Sequence, residues 1–161
     1  MEIIYLLLGS NVGDRSKHLA DGRTLIAERI GKISKSSHVY ETAPWGFQDQ
    51  DDFYNQALEV KTDRSPSEVL KISKEIEEEV GRVSNEKWHP RVLDIDILLF
   101  GKKIIHQEGL NIPHASMHKR NFALIPLMEL APELIHPALE LSIEELFWNC
   151  KDDLDVIRLD S

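Results

Sequence analysis

Asp94 and Asp96 lie two residues apart inside RVLDIDILLF, residues 91–100, the most hydrophobic run of the chain. Negative charge is costly in such a place unless something compensates it. If the run is a strand, alternate side chains face opposite ways. Leu93, Ile95, Ile97 and Leu99 then form one apolar face, and the two carboxylates share the other with Val92, Leu98 and Phe100. Two carboxylates on one face of a strand sit roughly 6 to 7 Å apart, close enough to repel when partly desolvated. A cation between them removes the conflict. Oxygen donors with no thiol nearby suit a hard ion such as Mg2+, which keeps waters and is completed by substrate phosphates. Arg82, Lys87 and Arg91 lie just upstream, where flexible cations can hold the same phosphates. A solvated sheet face is the ordinary explanation of an acidic strand, but the apolar neighbours here ask for a cover. Arg91 as a structural ion-pair partner of Asp94 fits less well, because three residues along a strand is the opposite face.

A second constellation lies in FYNQALEV, residues 53–60, which puts Phe53 and Asn55 on one face and Tyr54 and Gln56 on the other. An aromatic ring can stack on a planar heterocycle while an amide, donor and acceptor at once, reads its edge. A core phenylalanine beside a turn asparagine is the plainer explanation. Trp45 and Phe122 are further aromatics in loop-like contexts, where packing is the ordinary role. His114, in IPHASMHKR, could be a base, a phosphate ligand or a turn histidine, and Arg120 nearby favours an anion site. Glu77, Glu78 and Glu79 read as a solvated helix surface, and Cys150 as a small apolar residue.

The elements that must position these residues follow from periodicity and punctuation. The apolar run 3–8 reads as a buried strand. GSNVGD then offers a cap at Asn11 or Asp14, and Leu19, Ile26 and Ile30 continue at helical spacing to Gly31. Residues 33–42 and 53–60 read as two strands joined by a long turn-rich loop. Ser65-Pro66-Ser67-Glu68 is a capping box for a helix whose apolar stripe is Val69, Ile72, Ile76 and Val80, with Gly81 as its end. The polar RVSNEKWHPR, residues 82–91, is expected to be a mobile loop leading into the aspartate strand. Later come a loop and short helix in PHASMHKRNFALIPLMELAP, a helix capped from Ser142 to Glu145, and a final strand in DVIRL. Strand, helix, strand, strand, helix, strand is the order of an α+β ferredoxin-like split βαβ sandwich, mostly antiparallel, with the helices on one side.

With 161 residues and no linker or repeat, the chain reads as a single domain, 1–161. The 19 Lys and Arg against 28 Asp and Glu give a net charge of -9, which argues against nucleic acid or an anionic membrane as partner. The lone Cys150 forms no internal disulfide, and the run 3–8 is too short to span a bilayer and lacks the features of a signal peptide, so a cytoplasmic protein is the expectation.

Together LLLGSNVGDR, ETAPWGFQDQDDFYNQALEV, WHPRVLDIDILLFG and IPHASMHKRNFALIPLMELAP resemble the family of 6-hydroxymethyl-7,8-dihydropterin pyrophosphokinases of folate biosynthesis, in the family's order. The resemblance implies transfer of the pyrophosphoryl group of ATP to the hydroxymethyl group of a reduced pterin, with AMP released and two Mg2+ ions used. It implies that Asp94 and Asp96 bind both ions, and that Phe53 and Phe122 sandwich the pterin in a pocket lined by Thr42, Ala43, Trp45 and Asn55. Arg82, Trp88 and Arg91 would belong to a loop and hinge that close over the substrates. His114 and Arg120 would meet phosphate, while Leu70, Glu77 and the backbone of Ile97 would surround the nucleotide. Partners are then ATP and the pterin alone, with a monomer as the simplest state. The chain departs from familiar bacterial members at Ser84, where an arginine is usual, in a loop one residue shorter, and also at His89, Phe53 and Ala115. The competing classes are a magnesium-dependent nucleotidyltransferase or phosphodiesterase, which leaves Phe53, Asn55 and Phe122 without a role, and a non-catalytic binding module.

Overall fold

The first strand, β1 (Glu2–Ser10), is buried from Ile4 onward on both of its faces, which a sheet covered on one side cannot achieve. In the computed structural model, which describes residues 1–43, 52–83 and 92–159, β1 lies inside a six-stranded sheet. Its neighbours are β4 (Phe53–Thr62) and β5 (Asp94–Phe100), both antiparallel to it. The other edge of β4 pairs with β2 (Lys32–Ser36) and then β3 (Val39–Thr42), and β8 (Val156–Leu159) pairs with β3. A small hairpin of β6 (Ile105–Gln107) and β7 (Leu110–Ile112), absent from the sequence reading, stands apart.

Helices α1 (Arg15–Arg29) and α2 (Pro66–Val83) pack on one face, over Ile4, Leu6, Leu8, Leu58 and Val60. This is the expected split βαβ unit. The expectation that helices occupy only that side is corrected, because α3 (Asn121–Leu130) and α4 (Ile143–Asn149) cover the other face, over Tyr5, Leu7, Ala57 and Leu98. The sign was in β1 itself: both parities of IIYLLL are apolar, so both faces needed a cover.

Local signals mostly hold. Asp14 is the cap of α1, accepting from Lys17 N–H at 3.1 Å. Ser65 and Glu68 exchange the reciprocal bonds of a capping box, as do Ser142 and Glu145. Gly31 follows α1 because a Cβ there would lie 2.1 Å from the Lys61 carbonyl oxygen. Gly81, by contrast, does not end α2, which runs on to Val83; its φ is not positive, so it supplies no left-handed cap. The expected strand 33–42 is broken at Ser37, whose hydroxyl donates to the His38 carbonyl and accepts from Ala57 N–H.

Simple alternation also fails in β5. Its pairing with β1 shifts between Tyr5 and Leu6, so Leu98 and Leu99 both pack with α3 and α4 while Phe100 turns to the α1 and α2 side. A bulge of this kind moves every later side chain to the opposite face. Val92, expected beside the aspartates, precedes the strand and packs in the α1 and α2 core.

Candidate active site

Ladder register brings the chemistry together. Asp94 is paired with Gly9, and Gly9 on its other side with Asn55; one step along, Asp96 is paired with Leu7 and Leu7 with Ala57. Asp94 and Asp96 from β5 and Asn55 from β4 thus rise from one face of the sheet on either side of β1, on the α3 side. Gly9 keeps the floor between them open, since a Cβ there would stand 3.0 Å from Asn55 Oδ1 and 3.8 Å from Phe53. The resulting cavity, about 380 Å3, is walled by Thr42, Ala43 and Phe53 on one side and by His114, Arg120 and Phe122 on the other. Leu7, Leu98, Met117 and Ala123 complete its apolar lining.

Each wall is fixed by a describable cause. Asn55 is 4% exposed and donates through Nδ2 to Thr42 Oγ1 at 3.0 Å, which turns its carbonyl oxygen toward Gly9. The start of β4 is held from the far face, where Arg15 lies 4.0 Å over the Tyr54 ring and donates to the Asp52 carbonyl at 2.7 Å. His114 is tied to the aspartate strand by its backbone N–H, which donates to the Leu98 carbonyl at 3.0 Å. Its Nδ1 accepts from Ser116 N–H at 3.2 Å, so the ring proton sits on Nε2. Of the three roles left open for His114, base catalysis is the one this tautomer disfavours; an Nε2–H donor suits a phosphate oxygen. The Arg120 guanidinium lies 5.7 Å from the centre of the Phe122 ring, a cation above an aromatic face.

Helix α3 carries Phe122 and is anchored at its far end. Glu129 accepts from Tyr40 Oη at 2.6 Å, pairs with His38 Nδ1 at 2.9 Å and accepts from His38 N–H at 3.1 Å. Burial pushes the Glu129 carboxyl up, but the Tyr40 and His38 hydrogen bonds outweigh it and hold it below the ordinary range. Lys35 adds a bond from Nζ to the Leu130 carbonyl at 3.3 Å.

Four expected nucleotide or loop residues lie elsewhere. Leu70 packs half-buried against the α1 and α2 core, and the Ile97 side chain is buried in it, so only the backbone of Ile97 is open to a ligand. Glu77 is not a solvated surface charge: its Oε2 accepts from Ile95 N–H at 2.7 Å on the free edge of β5. By the alternation of an antiparallel ladder, the N–H and C=O of Ile97 point to that same free edge. Glu79 is likewise paired, with Arg29 at 2.8 Å, leaving Glu78 as the exposed member. Arg82 is exposed and lies 3.7 Å from Glu78. Trp45, Trp88 and Arg91 fall outside the described residues, as do Ser84, Lys87, His89 and the expected mobile loop after Val83.

Sequence reasoning missed Gly9, Leu7 and Met117. Gly9 was the most accessible of these, because a glycine ending a buried strand marks a close approach. No cluster of three or more His, Cys, Asp or Glu able to hold a metal occurs among the described residues. Two carboxylates at an open cavity nevertheless fit Mg2+, whose remaining positions go to waters and phosphate oxygens.

Residues 5–132 match one family model, that of 7,8-dihydro-6-hydroxymethylpterin-pyrophosphokinase (HPPK). The chain belongs to the HPPK family. It is 42% identical over 145 residues to the 2-amino-4-hydroxy-6-hydroxymethyldihydropteridine pyrophosphokinase of Aquifex aeolicus, covering 90% of each chain. With the enzyme of the same name from Bacillus subtilis it is 38% identical over 157 residues, covering 95% of this chain and 94% of that one. Among solved structures, a Plasmodium falciparum HPPK-DHPS triple mutant has the same fold, with a TM-score of 0.74 at 20% identity over 92% of this chain. This chain spans 44% of that longer polypeptide. No helix among the described residues is long and apolar enough to cross a membrane.

Proposed function

We propose that this HPPK-family chain transfers the pyrophosphoryl group of ATP to 6-hydroxymethyl-7,8-dihydropterin, giving the pterin diphosphate and AMP for tetrahydrofolate synthesis. The observation that carries the reading is the meeting of Asp94 and Asp96 with Phe53, Asn55 and Phe122 around one cavity. Phe53 and Phe122 would hold the pterin between their rings, and Asn55, with its amide oriented by Thr42, would read the edge of the heterocycle. The hydroxymethyl group would then point along β5 toward the aspartates.

Asp94 and Asp96 would hold the two magnesium ions, which when bound neutralise the triphosphate and lower the pKa of the hydroxyl. The rest is positioning. The hydroxymethyl oxygen attacks the β-phosphorus in line, the bond from that phosphorus to the α-phosphate oxygen breaks, and AMP leaves. His114 Nε2–H and the Arg120 guanidinium would bind phosphate oxygens, while Arg82 from the last turn of α2, and Trp88 and Arg91 from the segment after it, would close the site. Leu70, Glu77 and the free-edge backbone of Ile97 would take the nucleoside, beside the cavity. We take the chain as one catalytic domain, from its lone cysteine as cytoplasmic and from its acidic balance as without nucleic-acid partners.

The test is product analysis after mixing the protein with ATP, Mg2+ and 6-hydroxymethyl-7,8-dihydropterin, with Asp96→Asn alongside. Equal amounts of AMP and pterin diphosphate, lost in the variant, are expected. Inorganic pyrophosphate without pterin diphosphate would favour a nucleotidyltransferase or phosphodiesterase, and binding without turnover a non-catalytic module.

A further inference from the structure

Helix α3 presents Arg120 and Phe122 to the cavity from its first turn, yet its cap residue, Arg120, makes no side-chain capping bond. The cap comes from a residue 31 positions away. Asp152 accepts the backbone N–H of Asn121 on Oδ2 at 2.9 Å, and its own carbonyl accepts from Asn121 Nδ2 at 3.1 Å. Its second oxygen, Oδ1, accepts from Leu154 N–H at 3.0 Å, so both carboxylate oxygens are committed to backbone donors. Two residues beyond Leu154 the chain enters β8, where Val156 pairs with Thr42 of the opposite cavity wall. The segment 152–159 therefore ties the first turn of α3 to the end of β3, and these are the two walls between which the pterin is proposed to lie. It also lies wholly beyond residues 5–132, the part of the chain that matches the family model.

We propose that Asp152 is a positioning residue for the pterin half of the site, setting the orientation of Phe122 and Arg120 by capping α3. The physical case is that an acidic cap both satisfies an otherwise orphaned helix N–H and opposes the positive end of the helix. Without it, the first turn of α3 frays, and Phe122 is the side chain that this turn carries. The proposal rests on the pterin reading given above. Asp153, the next residue, is exposed and makes no such bond among the described residues, so it is the internal control.

The experiment uses the full chain and measures 6-hydroxymethylpterin affinity, affinity for a non-hydrolysable ATP analogue, kcat and KM, all well below the melting temperature. Asp152→Ala is expected to raise the pterin Kd and KM about tenfold, the scale of a lost helix cap, with ATP-analogue affinity changed less than about twofold. Asp152→Asn, which keeps one acceptor oxygen, is expected to fall between, and Asp153→Ala to match the parent chain. In a Phe122→Ala background the further loss on Asp152→Ala should vanish, because both act through the same ring. Equal weakening of pterin and nucleotide, or full additivity with Phe122→Ala, would overturn the proposal in favour of a general structural role. Should Asp152→Ala fail to fold, Asp152→Asn carries the same comparison. A parent chain that binds no pterin would instead overturn the functional reading.

Discussion

The two halves of the proposed site are built from different materials. On the proposed pterin side, side chains would do the recognition: Phe53, Asn55 and Phe122 line a cavity whose floor is opened by Gly9. On the nucleotide side, the edge of β5 offers backbone groups, with Glu77 already bonded to Ile95 N–H. The first half is held from four directions, by Thr42, Arg15, Glu129 and Asp152, whereas the second, among the described residues, hangs on one strand edge and one helix. Side-chain pockets are specific to shape and intolerant of change. Backbone edges tolerate most substitutions, because any residue supplies the same N–H and C=O.

That contrast gives graded expectations. The largest belongs to neither half but to the carboxylates between them: Asp96→Asn is expected to lower kcat at least about 1,000-fold while leaving pterin affinity within a few-fold, measured by AMP release and by equilibrium binding. If pterin binding fell equally, the aspartates would be part of the pocket and not only of the chemistry. Next, Gly9→Ala places a Cβ 3.0 Å from Asn55 Oδ1 and should raise the pterin KM about tenfold with ATP KM little changed. An unchanged pterin KM would mean that Asn55 can move aside, against the tight side-chain pocket. On the other half, Glu77→Ala leaves the Ile95 N–H without its acceptor, costing about 1 to 3 kcal/mol in denaturant unfolding. It should raise ATP KM only several-fold, while Leu70→Ala should disturb ATP KM still less.

The same contrast explains what the sequence could tell. Asp94, Asp96, Phe53 and Asn55 were legible because strand parity places side chains, and parity is written in the residues, whereas Phe122, on a helix, came only through the family resemblance. The helices α3 and α4 were read from local signals, but their place over the second face was legible only through the two apolar parities of β1, since α3 carries Pro126 and has little polar face of its own. The bulge at Leu98 left no mark, as an extra residue in an apolar run looks like any other. Gly81 misled because a glycine is a common helix end but not a required one. Glu77 read as solvent-facing since its partner is a backbone N–H 18 positions away, and Asp152 was invisible for the same reason at 31. Contacts to backbone are made with groups every residue has, so they leave no compositional trace.

The anchoring of α3 gives the smallest expected effect and one that pH can isolate. Glu129 is held below its ordinary value of 4.5, burial opposing the shift and the bonds from Tyr40 and His38 overcoming it. A carboxyl whose pKa is lower in the folded state than in the unfolded chain contributes stability that is fully present above its unfolded value and is lost as pH falls through its folded one. The parent chain should therefore lose its stability advantage over Glu129→Gln as the solution is taken from about pH 6 to about pH 3, the two melting temperatures converging by a few degrees. If melting temperatures separated further on acidification, Glu129 would not be the charged acceptor that the Tyr40 geometry requires. The pterin affinity of Glu129→Gln should drop less than that of Asp152→Ala, because Glu129 sits two turns from Phe122 and a helix transmits fraying poorly across formed hydrogen bonds.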